Sequence, residues 1–171
     1  MIPREDERSK TIFLKPRFQM HEEGQAKDSE DIKPGMLIEI DGSSTDLPRS
    51  LPIVKKSTAN GTKCRLLICK EAFLQGLGIG DVIPDGDVVP FAEAMPGEVF
   101  LVRVPADYAA VPGAKLSSVG DGTFDDAGSD VPLVEVEDTI DWDVQLAALA
   151  DLVSSSPTDP RVQPLVRVKA L

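Results

Sequence analysis

Apolar and polar positions alternate in short runs along most of this chain, and a turn signal bounds each run. Met36, Ile38 and Ile40 fall on one side of an extended segment, and Leu37 and Glu39 on the other. Phe100, Val102 and Val104 face one way and Arg103 the other. Val134 and Val136 oppose Glu135 and Glu137, and Val166 and Val168 oppose Arg167. A period of two is that of a strand with one buried face. Pro34-Gly35, Pro96-Gly97 and Pro112-Gly113 each lead into such a run, at 36–40, 98–104 and 114–118. Proline sets one turn dihedral and glycine supplies the positive φ that follows it in a type II turn. Asp41-Gly42-Ser43-Ser44, Asn60-Gly61, Pro84-Asp85-Gly86-Asp87 and Gly120-Asp121-Gly122 punctuate the rest. Asn60-Gly61 is expected to close a type I′ hairpin between strands near 51–56 and 63–70. Strands and turns at this spacing predict a mainly β fold, a small β-barrel or β-sandwich.

Two segments depart from the pattern. Residues 1–30 are polar and charged except for Thr11-Ile12-Phe13-Leu14, Phe18 and Met20. Such a segment buries too little surface to fold alone and reads as an extended N-terminal arm. It is either a loose terminus or an arm laid across a neighbouring subunit, with Phe13 and Phe18 as anchors. Near the C-terminus, Leu146, Leu149, Ala150 and Val153 share one helical face, and Asp141 is placed to cap it. Ser154-Ser155-Ser156-Pro157 ends this short α-helix, because the residue before proline avoids helical dihedrals. The expected organisation is therefore an arm over 1–30 and a β-rich domain over 31–171. The domain carries a helix and Pro-rich insertion at about 140–164, with Trp142 as a further interface residue.

Composition narrows the function. A chain of 171 residues is long enough for one self-sufficient core. With six Phe, one Trp and one Tyr, that core must be mostly aliphatic. A net charge of −11 opposes binding to nucleic acid or to an anionic membrane surface. It fits a solubilising surface, or adaptation to high salt. The charged start lacks the apolar core of a signal peptide, and no apolar run approaches the ~20 residues of a membrane span. The expectation is synthesis in a cytoplasm. Cys64 and Cys69 are the only cysteines, and they are expected to be buried free thiols.

Candidate chemistry is sparse. His21 is the only histidine and lies in the polar arm. No Cys/His cluster, HExxH or nucleophile elbow occurs, so no enzyme and no cofactor is expected. Gly76-Leu77-Gly78-Ile79-Gly80 lacks the spacing of a dinucleotide fingerprint and reads as a flexible loop. Asp121, Asp125, Asp126 and Asp130 surround Gly122 and Gly128 and are weak candidates for a calcium site, without the EF-hand spacing. They carry the alternative reading of a β-barrel binding module or adhesin that holds calcium through the 121–130 loop.

The order of turns and strands resembles the head decoration proteins of tailed phages, also called cement or capsid-stabilising proteins. The matching pieces begin with Glu30-Asp31-Ile32-Lys33-Pro34-Gly35-Met36-Leu37-Ile38-Glu39, followed by Arg65-Leu66-Leu67-Ile68-Cys69-Lys70-Glu71 and Gly76-Leu77-Gly78-Ile79-Gly80-Asp81-Val82-Ile83. Gly86-Asp87-Val88-Val89-Pro90, Pro96-Gly97-Glu98-Val99 and the 113–124 segment with Gly120-Asp121-Gly122-Thr123 come next, and Val166-Arg167-Val168 closes the series. The likeness covers about 30–137 and the last six residues. The 140–164 insertion and the arm are longer than that pattern. The resemblance implies a structural, non-catalytic virion protein on the capsid exterior. Its implied partner is the major capsid protein, and its implied assembly a homotrimer that clamps neighbouring capsomers.

Overall fold

The computed structural model describes residues 12–15, 21–42, 51–105, 108–137 and 165–171. Among them are eleven strands and one 3-10 turn, Phe73–Gln75. The strands are β1 (Phe13–Lys15), β2 (His21–Ala26), β3 (Leu37–Ile40), β4 (Ile53–Lys56), β5 (Leu67–Cys69), β6 (Val88–Glu93), β7 (Val99–Arg103), β8 (Lys115–Ser118), β9 (Phe124–Asp126), β10 (Val134–Val136) and β11 (Leu165–Ala170). They form a closed five-stranded barrel, in the order β2-β4-β3-β5-β6, and a six-stranded sheet, in the order β1-β7-β11-β10-β8-β9. The choice between barrel and sandwich thus resolves to a barrel with a second sheet. The six-stranded sheet is antiparallel throughout. In the barrel only the β2–β4 pair is parallel.

Two apolar cores follow, and the strands between them serve both. Ile38, Leu67 and Cys69 point into the barrel with Val54, Val89 and Phe91. Their neighbours Leu37 and Ile68 point out of it, onto Phe100, Val102, Leu116, Phe124 and Val168 of the sheet. Strands buried on both faces read as continuous apolar runs, as Leu66-Leu67-Ile68-Cys69 does. β7 is likewise buried along its whole length, so the polar face expected at Arg103 is covered. The seam is tight at Gly122, whose φ is +85° and whose missing β-carbon would lie 3.2 Å from the Leu37 carbonyl oxygen. Its own carbonyl accepts the Leu37 N–H at 2.8 Å.

Three expectations are corrected. The described part of the expected arm is sheet: β1 pairs with β7, and β2 closes the barrel between β4 and β6. β2 escapes the apolar-alternation test because its buried positions are small, Gly24 and Ala26. A β-carbon at Gly24 would come within 2.5 Å of Val54 Cγ1, so the narrow barrel admits nothing larger. Second, Asn60-Gly61 does not join β4 to β5 as a hairpin. β3 lies between those strands, and the turn reaches across instead, with Asn60 bridging Val119 and Gly61 N–H donating to Ser118 O at 2.8 Å. Third, Ile40 ends its strand exposed rather than inward. The helix expected from Asp141 to Val153 lies outside the described residues.

Candidate functional site

The four acids proposed as calcium ligands sit in and after the β8–β9 turn, and three of them accept hydrogen bonds from separate donors. Asp121 Oδ1 accepts the Thr123 N–H at 2.8 Å and the Thr123 hydroxyl at 2.6 Å, a side-chain-closed turn. Asp125 Oδ1 accepts the Asp126 N–H at 2.7 Å. Asp126 Oδ1 accepts the Tyr108 hydroxyl at 3.1 Å. The Asp130 carboxylate lies against Gly61. Among the described residues no three Asp, Glu, His or Cys side chains converge on a point that could hold a metal ion. Burial, and then the Asp126 hydrogen bond, push the Tyr108 phenol above its ordinary range.

Cys64 and Cys69 are both free thiols. Cys69 is enclosed in the barrel, and burial pushes its thiol well up. Cys64 is only half-buried, not buried as expected, and sits in a hollow of about 280 Å³ beside Glu39 and Arg65. Burial, and then the Glu39 charge, raise its thiol too. Both shifts disfavour the thiolate and make these cysteines poor nucleophiles.

Of the expected anchors, Phe13 turns inward. It is buried in this chain's own core, 5.5 Å from the Phe100 ring at a 30° tilt, with Lys70 Nζ 5.9 Å from its centroid. Phe18 and Trp142 lie outside the described residues.

A surface feature missed by pattern reading is the segment after β5. Its glycines suggest a flexible loop, yet its backbone is tied down. Gln75 N–H donates to Ala72 O at 3.0 Å, Gly78 N–H to Asp81 Oδ2 at 2.7 Å and Asp81 N–H to Gly78 O at 3.1 Å. The Gln75 side-chain amide donates to Val88 O at 2.8 Å, fixing the loop against the 84–88 turn. From beneath, the buried Arg103 guanidinium donates to Pro34 O at 2.9 Å and to Ile79 O. On this frame Leu74 is 103% exposed and Val82 37%. The available sequence signal was the apolar run Ala72-Phe73-Leu74 before a glycine-rich stretch, outside any strand alternation. No helix among the described residues is long and apolar enough to cross a membrane. No protein-family model matches this chain, and no curated protein matches it.

Proposed function

We propose that this chain is a structural virion protein that binds the outer surface of an icosahedral capsid as a trimer and stabilises contacts between capsomers. The observation that carries the reading is the order of its turn-and-strand segments over 30–137 and 166–168, which resembles tailed-phage decoration proteins. The architecture is compatible with that task. Closure of the barrel removes its strand edges, and the two edges of the sheet, β1 and β9, are three residues each. Short edges resist unwanted pairing in a crowded shell. The acidic surface keeps such a protein soluble before it assembles.

The test is quantitative mass spectrometry of density-gradient particles from cells that make this chain. Co-sedimentation with a major capsid protein at comparable copy number is expected. Particles that band without it, while the chain stays in the soluble fraction, would remove the capsid reading.

A further inference from the structure

Asn60 is the only asparagine of the chain, and glycine follows it. Asparagine is a thermolabile residue, and it loses its side-chain amide fastest before glycine, which has no β-carbon to shield its backbone nitrogen. In that reaction the Gly61 nitrogen gives up its proton and attacks Cγ of Asn60. The N–Cγ bond forms, the Cγ–Nδ2 bond breaks, and the side-chain nitrogen leaves as ammonia with that proton. Water then opens the resulting succinimide ring. Opening at Cγ leaves aspartate at position 60. Opening at the backbone carbonyl carbon leaves isoaspartate, which carries an extra carbon in the main chain.

The fold leaves one reactant open and holds the other. Asn60 is exposed, so water reaches its amide. The Gly61 nitrogen is engaged: its N–H donates to Ser118 O at 2.8 Å. Gly61 O accepts the Val131 N–H at 3.1 Å, and Asn60 bridges Val119. Ring closure requires the 60–61 backbone to rotate and the Gly61 amide to leave Ser118 O, so all three contacts oppose it. Each contact is distant in sequence and ties the connection between β4 and β5 of the barrel to the 118–131 part of the sheet. The chemistry of Asn60 therefore waits on the opening of that contact. The product closes it badly. Gly61 has a φ of +60°, and three atoms of the Asp130 carboxylate lie within 2.7 Å of where a β-carbon on Gly61 would stand. Either product puts a new negative charge on the residue before Gly61, where it repels Asp130. Isoaspartate also shifts the Gly61 N–H out of register with Ser118 O.

We infer that Asn60-Gly61 is a spontaneous modification site that the sheet keeps shut. It converts only when residues 60–61 lift off the 118–131 segment, and the converted turn does not return to the same contact. A chain that has opened there carries a permanent chemical mark. The inference stands apart from the capsid reading and is tested on the isolated protein.

The full-length chain is aged in mildly alkaline buffer at physiological temperature, once folded and once in guanidinium. Mass spectrometry follows the peptide that holds residue 60. Conversion in the folded chain is expected to run slower by about tenfold or more, because the native contact must first open. Hydrogen exchange of the Gly61 amide, read by NMR on the folded chain, should be slowed by a comparable factor, since both reactions need the same freed N–H. Equal conversion rates in the two states would overturn the guard, and no conversion in either would overturn the site. A Gly61 amide that exchanges freely while conversion stays slow would overturn the hydrogen bond to Ser118 as its cause. Closure of the product is tested by refolding the aged chain beside an Asn60→Ser chain aged in the same way. That variant cannot form the ring at position 60 but shares every other change that ageing brings. Ageing should lower the melting temperature of the wild type by several degrees more than that of Asn60→Ser. Equal losses would show that the converted turn closes as before, and would overturn that part of the proposal.

Discussion

The 119–130 turn and the 71–87 loop are both acidic and glycine-bearing, yet they differ in how much apolar surface they leave exposed. In the first, Asp121, Asp125 and Asp126 accept hydrogen bonds from the chain itself, and the apolar residues Phe124 and Ala127 are buried. In the second, Glu71, Asp81 and Asp85 likewise accept hydrogen bonds from the chain, Asp87 stands in solvent, and Leu74 projects outward although Ala72 and Ile83 are buried. Acid content alone therefore does not say whether the apolar side chains beside it are buried or exposed. What separates the turn from the loop is where the neighbouring apolar side chains go. In the turn they go inward and the carboxylates serve the fold. In the loop Ala72 and Ile83 go inward while Leu74 and Val82 stay exposed.

The contrast breaks most sharply on stability. Phe124→Ala empties a fully buried site in the sheet-side core and should cost about 3–5 kcal/mol in chemical denaturation. Leu74→Ser should stay within about 0.5 kcal/mol of the wild type, as befits a surface position. Comparable losses at the two sites would erase the distinction. A finer cut falls within the turn. Asp121→Ala removes both bonds to Thr123 and should cost about 1 kcal/mol, whereas Asp121→Asn keeps an acceptor and should cost less. The same denaturation curves decide it, and equal effects of Ala and Asn would deny the turn its side-chain closure.

The smallest effect is spectroscopic. Tyr108 is the only tyrosine, so phenolate absorbance reports this site alone. Its phenol is held protonated by burial first and by Asp126 second. A pKa raised by folding contributes stability that is present below the unfolded value of about 10 and is lost as pH rises through the native value. The native chain should therefore titrate at higher pH than the urea-unfolded chain, and Asp126→Asn should narrow the gap. Coincident midpoints would show that Tyr108 is solvated and that the turn does not hold it.

Sequence pattern recovers much of this architecture because turn residues mark the strand starts and some strands keep one water-facing side. β10 and β11 follow the alternation, and Pro-Gly turns announce β3, β7 and β8. The failures have physical causes. β2 is lost because a narrow barrel replaces its inward apolar residues with Gly24 and Ala26. β1 is lost because a three-residue strand is too short to show a period. Asn60-Gly61 is a genuine turn, but local chemistry cannot say that β3 comes between the strands on either side. At the surface, glycine spacing suggests mobility around Leu74, while the restraint comes from Val88 and Arg103, distant in sequence. The acids at 121, 125, 126 and 130 are legible as a group. Their separate surroundings, Tyr108 donating to Asp126 and Gly61 lying beside Asp130, emerge only from tertiary contacts.

The adjacency of Leu37 and Ile38, one serving each core, has a consequence for how the molecule comes apart. A one-residue slip of β3 would trade the two side chains between compartments and empty both at once. Neither half can melt, be exchanged by recombination or be excised as a module without stripping the other of a wall. The chain should unfold in one cooperative transition. A force applied at the barrel would be carried through β3 and β5 into the sheet, with no hinge between them at which to yield.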